Sequence, residues 1–298
     1  MKVRIGIGTQ QASVSGDELA ACAADMEELG FDSMWLPDVQ SVAVDDPMVG
    51  LAYVAGRLQR LKLGTTLVLP GQSPVRLARQ IATLDRLSSG RLLVTVVPGL
   101  RRRRELEAMG VDAGKREAEM DEMLPLLRRL WTEDEVDHDG PRWTLRGARV
   151  EPKPLQSPLD VWVGGTAPAA LRRAGELSDG WLPSLVTPGE AGAGRAAIEE
   201  HAAAAGRRVD PEHFGATVVY LRGPAPPGLA ERIAARRRAS DPAPVTDLVP
   251  EGLAALRALL ERFVDAGISK FVVRPLVPGG SMRAELEALA GAVGDLQD

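Results

Sequence analysis

Phe31-Asp32-Ser33-Met34-Trp35-Leu36-Pro37-Asp38 and Val161-Trp162-Val163-Gly164-Gly165-Thr166 decide the fold. Each is a short apolar run that breaks into a turn. The first follows a helical pattern and the second precedes one, so strand and helix alternate around both. The same alternation extends over the whole chain. Strands are expected at 3–8, 33–37, 62–69, 91–97, 159–164, 180–185, 215–221 and 269–275. Nearly all are continuous Val, Leu, Ile or Trp runs, the pattern of parallel strands buried on both faces.

Helical spacing fills the gaps between them. Residues 17–29 place Leu19, Cys22, Ala23, Met26 and Leu29 on one face, with a capping box at Ser15 and Glu18 and a stop at Gly30. Residues 74–87 repeat the pattern with Leu77, Ile81, Leu84 and Leu87, and residues 116–131 with Met120, Met123, Leu127 and Leu130, kinked at Pro125. Further helices are expected at 47–60, 168–177, 189–205, 251–266 and 283–293. Eight alternating strand–helix units predict an α/β fold, a (β/α)₈ TIM barrel in one domain over 1–298. Two stretches break the rhythm. Residues 132–158 are polar and Pro-rich, and residues 222–250 read as a long loop after the seventh strand.

Composition narrows the function classes. The 298 residues carry 36 Lys and Arg against 41 Asp and Glu, a net charge of −5, which argues against a nucleic-acid partner. No apolar run approaches a membrane span, and the N-terminal Met-Lys-Val-Arg-Ile-Gly alternates like a strand, so no membrane partner and a cytoplasmic location are expected. One cysteine, Cys22, allows no internal disulfide. His138, His201 and His213 have no metal-ligand spacing, and no metal is expected. Walker, nucleophile-elbow and dinucleotide-binding motifs are absent.

In a barrel of this kind ligands sit at the C-terminal ends of the strands. Gly164-Gly165-Thr166 ends one strand and opens the helix that begins near Pro168. Glycines let a backbone approach closely, and a helix start offers free N–H groups to a phosphate, although a ligand-free turn has the same composition. Asp38 ends the second strand, as a ligand contact or as a turn residue. Arg101 to Arg104 follow the fourth, as a solvated face or as an anion contact.

The order and spacing of ELGFDSMWLPD (28–38), DPMVGLAYVAGRLQRLKLGTTLVLP (46–70), SPVRLARQIATLDRLSSGRL (73–92), LEAMGVDAGKREAEMDEMLPLLRRLW (106–131) and PLDVWVGGTAPAALRRAGELSDGWLP (158–183) resemble the luciferase-like monooxygenase superfamily, in particular its coenzyme F-420-dependent oxidoreductase branch. The resemblance implies a bacterial luciferase-like barrel and an enzyme that passes hydride between coenzyme F-420 and a small-molecule substrate. It further implies a phosphate held at Gly164, Gly165 and Thr166, and Asp38 near the polar edge of the ring. A cis peptide at Thr66-Leu67 behind the ring, the strand-four glycine Gly99 and a homodimer are expected on the same ground.

The chain departs from the branch where Val39 replaces a histidine, and where Thr95-Val96-Val97-Pro98-Gly99 replaces a Gly-Val-Gly-x-Gly run. Leu100 and Arg101 stand where some dehydrogenases carry a glutamate. No catalytic side chain is therefore assigned, and reduction of an activated double bond is favoured over alcohol oxidation. The alternatives are an FMN-dependent monooxygenase served by a separate reductase and a non-catalytic flavin- or metabolite-binding barrel.

Overall fold

Eight parallel strands form one sheet in the computed structural model of the chain, which describes residues 1–9, 15–39, 44–99, 103–237, 243–277 and 279–297. They are β1 (Arg4–Gly8), β2 (Ser33–Pro37), β3 (Lys62–Val68), β4 (Leu92–Val97), β7 (Val161–Val163), β8 (Gly180–Trp181), β9 (Gly215–Leu221) and β10 (Lys270–Val277). The sheet order is β8-β7-β4-β3-β2-β1-β10-β9. Its two edge strands meet through parallel bridges at Trp181↔Phe214 and Ser184↔Thr217. There Trp181 N–H donates to His213 O at 2.9 Å and Thr217 N–H to Pro183 O at 2.8 Å. The ring is closed, and no long row of strand-edge groups stays exposed.

The crossover helices are α1 (Gly16–Glu28), α2 (Pro47–Ala55), α3 (Pro74–Leu87), α4 (Arg103–Ala108), α5 (Arg116–Thr132), α6 (Pro168–Leu177), α7 (Pro188–Ala204), α8 (Leu229–Arg236), α9 (Leu253–Asp265) and α10 (Met282–Val293). Ser15 and Glu18 make the expected capping box on α1, and Gly30 takes φ +82° beyond its end. Helix α5 continues through Pro125. Among the described residues no helix is long and apolar enough to cross a membrane.

Two cores result from the alternation along each strand. Outward-facing side chains such as Ile5, Ile7, Leu63 and Leu67 pack with the helices in the large core. Trp35, Leu182 and Val272, with Leu93 and Trp162, form a separate cluster. These residues lie on or next to strands all round the ring, so their meeting place is the barrel interior. Room for the Trp35 indole comes from glycines on both neighbouring strands. A Cβ at Gly64 would overlap the ring, and one at Gly6 would overlap Ser33 Oγ, which accepts from Trp35 Nε1 at 2.9 Å.

Four expectations change. The strand expected at 180–185 is shortened to Gly180–Trp181, because the chain then leaves to make the single bridge at Ser184. The 132–158 excursion contains an antiparallel hairpin, β5 (Val136–Asp139) with β6 (Thr144–Ala148). Glu122 of α5 docks it, accepting from the N–H groups of Arg142 at 3.0 Å and Trp143 at 3.1 Å. The 222–250 stretch is not a bare loop, since it contains α8 and a short 3-10 turn, Val245–Asp247. The Thr66–Leu67 peptide is trans. The cis bonds among the described residues are Glu151–Pro152 and Ser157–Pro158. The physical reason is pairing: β3 runs in unbroken register from Leu63↔Leu92 to Val68↔Val97, and a cis bond between non-proline residues costs about 3 kcal/mol more than trans.

Urea unfolding tests the interior packing. Gly64→Val is expected to cost about 3 kcal/mol by overpacking against Trp35. Combined with Trp35→Leu it should cost at least about 1 kcal/mol less than the sum of the two single changes, because the clash disappears with the indole.

Candidate functional site at the barrel mouth

The parity that turns Trp35, Leu93, Trp162 and Val272 inward carries up each strand in steps of two. Register pairs Trp35 with Gly64 and Pro37 with Thr66, which brings Pro37, Thr66 and Val68 to the mouth from β2 and β3. Val97 arrives from β4, Gly164 after β7 and Arg274 from β10 by the same count. The expected site residues Thr66, Gly99 and Gly164 therefore lie around one opening. Leu67 does not join them, because its side chain turns outward and is buried in the sheet–helix core.

The turn after β7 is built by exclusion of side chains. Gly164 N–H donates to Val96 O at 3.0 Å, and a Cβ on Gly164 would lie 2.7 Å from Val97 Cγ1 and 3.2 Å from Leu182 O. Gly165 has φ +103°, a conformation that disfavours side chains, and its carbonyl accepts from the buried Trp181 Nε1 at 2.8 Å. Gly165 and Thr166 are exposed. Helix α6 then starts with Ala167 as N-cap and Pro168 at its first position, and no side chain caps it. The serine and threonine boxes on α1 and α7 satisfy their helix starts internally. At α6 no side chain occupies the helix start, Pro168 has no N–H and Ala170 N–H already bonds Ala167 O at 2.7 Å, so the helix dipole and the exposed backbone of Gly165 and Thr166 are what the turn presents to an anion.

Asp38 and Gly99 hold the wall formed by the ends of β2, β3 and β4, the last of which pairs with β7. The Asp38 carboxylate accepts from Val68 N–H at 3.2 Å, and its own N–H donates to Thr66 O at 2.8 Å. Asp38 thereby ties the end of β2 to the end of β3. Gly99 has φ +74°, and a Cβ there would lie 3.0 Å from Val68 Cγ1. Its carbonyl accepts from Arg116 Nη1 at 2.6 Å. One turn further along α5, Glu119 accepts from Gly71 N–H at 3.2 Å. Arg116 and Glu119 are both buried, so the first turn of α5 fastens the turns after β3 and β4.

These two charged residues escaped the sequence reading. The signal that could have found them is a charge on the face that also carries Met120 and Met123.

Thr95 and Val97, which replace glycines of the related pattern, have different fates. Thr95 is covered below the mouth, and its hydroxyl has no hydrogen-bond partner among the described residues. Val97 is half-buried and fills the space beside Gly164. Val39 is half-buried after β2. Of the arginine run, Arg101 and Arg102 lie outside the described residues, as does Leu100, Arg103 opens α4 and Arg104 is exposed on it.

The β9 side of the mouth is roofed. Inward-facing Val219 and Leu221 pack with Leu229 and Ile233 of α8 and with Leu248 and Val249. Arg237, just past α8, donates to Leu185 O at 2.8 Å and pairs with Glu190 at 2.6 Å. Helix α8 is thus held over the opening by an apolar face and an ion pair.

Other reactive groups are accounted for elsewhere. Burial pushes the Cys22 thiol up to about 11, so it is protonated at neutral pH and a poor nucleophile. His138 Nε2 lies 2.8 Å from Glu122 in the hairpin, and His213 Nδ1 lies 2.9 Å from Asp179 O. Among the described residues no cluster of three His, Cys, Asp or Glu side chains could hold a metal.

The sequence profile described as luciferase-like monooxygenase matches residues 1–244. The chain is 32% identical over 191 residues to sulfoquinovose monooxygenase of Agrobacterium fabrum, covering 62% of this chain and 47% of that protein. It is 30% identical over 223 residues to a coenzyme F-420-dependent glucose-6-phosphate dehydrogenase of Nakamurella multipartita, covering 70% and 64% respectively. The chain spans about half the length of the first curated relatives it matches. In overall fold it is similar to a coenzyme F-420-dependent secondary alcohol dehydrogenase solved with an F-420–acetone adduct, at TM-score 0.83 and 20% identity, with both chains covered completely. A closed ring of parallel strands, a glycine turn opening α6 and a profile match over most of its length together make this chain a member of the luciferase-like monooxygenase family.

Proposed function

We propose that the chain is a coenzyme F-420-dependent oxidoreductase that reduces a small organic substrate over the barrel mouth. The observation that carries this is the turn after β7. It pairs a glycine that packing forbids to bear a side chain with a second glycine at positive φ and an uncapped helix start. That cradle fits a cofactor phosphate. The curated relatives named for coenzyme F-420 favour this cofactor over FMN.

When bound, the reduced deazaflavin supplies a hydride. The residues of the chain bind and orient. Gly165, Thr166 and the first turn of α6 hold the phosphate. Asp38 keeps the β2 and β3 ends in register beside the ring, and Val68 and Val97 give that wall an apolar surface. The α8 roof excludes water from the β9 side. An activated double bond takes hydride at carbon and its proton from solvent, whereas alcohol oxidation needs a side-chain base. Val39, at the position of the related histidine, supports the reductase.

Paired titrations with coenzyme F-420 and FMN test the cofactor assignment. Tighter binding of coenzyme F-420 is expected, and tight binding of FMN alone would move the protein to the FMN-dependent monooxygenases. Failure to bind either would remove the enzymatic reading.

Ala167→Asp separates the phosphate site from the stability of the helix. A carboxylate at this N-cap should stabilise α6 by about 1 kcal/mol. It should also weaken the cofactor at least about tenfold by occupying the same amides with negative charge. Stability and affinity moving in opposite directions is the expected result, and unchanged affinity would place the phosphate elsewhere.

A further inference from the structure

His213 stands where the barrel is closed. The β8–β9 seam runs through its backbone, since Trp181 N–H donates to His213 O at 2.9 Å. Its side chain crosses the same seam, with Nδ1 2.9 Å from the carbonyl oxygen of Asp179, the residue just before β8. A carbonyl oxygen only accepts, so Nδ1 carries a hydrogen and donates. In the neutral ring Nε2 is then a bare acceptor, and it faces Asp160 Oδ2 at 3.8 Å. Two acceptors opposed in this way repel, whereas a proton on Nε2 makes an ion pair. The imidazole also lies against Trp162, with ring centroids 5.3 Å apart, a distance at which an imidazolium gains from the indole π system.

The other charges nearby are matched among themselves. Asp179 Oδ2 accepts from Arg128 Nη2 at 2.7 Å and from Val161 N–H at 2.9 Å, and Arg207 lies 3.6 Å from its other oxygen. Glu212 is occupied by Lys270 and by the N–H of Lys2. Asp210 offers its backbone carbonyl to His213 N–H at 2.9 Å, and its carboxylate adds negative charge near Asp160. Among the described residues His213 is the one ion-pair partner of Asp160. Burial, and second the Asp179 carboxylate, hold the Asp160 carboxyl above the usual carboxylate range. A charged Asp160 is thus disfavoured in the folded chain unless His213 answers it.

Trp181 carries the seam up to the mouth. The residue whose N–H bonds to His213 O also sends its buried indole Nε1–H to Gly165 O at 2.8 Å. We propose that His213 is a proton-operated clasp on the β8–β9 seam, closed by one proton between His213 and Asp160, which regulates the glycine turn after β7 through Trp181. The clasp stands on the seam geometry alone, while its effect on ligand binding rests on the reading of that turn as the phosphate site. The ion pair forms only in the folded chain. Its stabilisation is complete below the range in which imidazole titrates and is lost as the pH rises through that range, and the raised Asp160 carboxyl acts in the same direction.

Thermal unfolding of the full chain from about pH 5.5 to about pH 8.5 tests the clasp in the wild type, His213→Asn and Asp160→Asn. Asparagine at 213 keeps an N–H for Asp179 O and removes the titrating nitrogen, and asparagine at 160 removes the charge that faces it. Relative to either variant, the wild-type Tm should fall by about 2 °C from the acid to the alkaline end. The two variants should run parallel to each other. An imidazole that only fills space would shift Tm equally at every pH.

Titrations with coenzyme F-420 and with FMN at about pH 6 and about pH 8 test the link to the turn. The ratio of wild-type to His213→Asn affinity should be about threefold higher at the acid pH, and taking the ratio cancels the ionisation of the ligands themselves. Unfolding curves of the wild type and both variants that stay parallel across the range overturn the clasp. An affinity ratio that does not change with pH overturns the link. If His213→Asn does not fold, Asp160→Asn carries both decisions. A chain that binds neither cofactor sinks the phosphate reading and the link with it, and the unfolding curves still decide the clasp.

Discussion

Closure of the parallel sheet is the constraint on which the rest depends. An open eight-stranded sheet would leave the backbone donors and acceptors of β8 and β9 unpaired along two edges. Trp181 and Thr217 join those edges through single backbone bonds to His213 and Pro183. The seam is sparse because β8 is only Gly180–Trp181. Shape therefore shares the work with hydrogen bonding. Trp35 and Trp162 fill the interior, and Gly64 and Gly180 have no side chain to oppose them.

Once the ring is closed, its C-terminal rim becomes a set of strand ends that must be held apart to leave an opening. Backbone pairing cannot do this, because each strand stops there. The chain uses charged groups that satisfy turn amides and carbonyls instead. Asp38 ties β2 to β3, Glu119 holds the turn after β3, and Arg116 holds the turn after β4. Buried charged groups persist only where they are paired or hydrogen-bonded, and the buried Arg116 and Glu119, with the half-buried Asp38, are matched to backbone of the site wall. These bonds hold the turns to the wall while leaving its mouth-facing surface apolar at Val68 and Val97.

The opposite side is constructed differently. The crossover after β9 is long, and its α8 lies on Val219 and Leu221 with a narrow apolar face. Arg237 and Glu190 fasten its end. The glycine turn after β7 and the α8 roof beside β9 thus occupy different arcs of one opening.

The barrel, its strand positions and the glycine turn after β7 were legible because each depends on local periodicity or on a residue type with a local role. Apolar runs mark strands buried on both faces, and Ser15 with Glu18 marks a helix start. The sequence by itself determined the alternation of elements, hence the parallel ring and the rim where chemistry is placed. Only tertiary structure decided that Leu67 faces away from the mouth, that Thr66–Leu67 is trans, that Arg116 and Glu119 secure the rim, and that α8 packs on Val219 and Leu221. The physical reason is distance along the chain. Strand parity inside a closed ring, and contacts between groups far apart in sequence, arise only when register and closure bring them together.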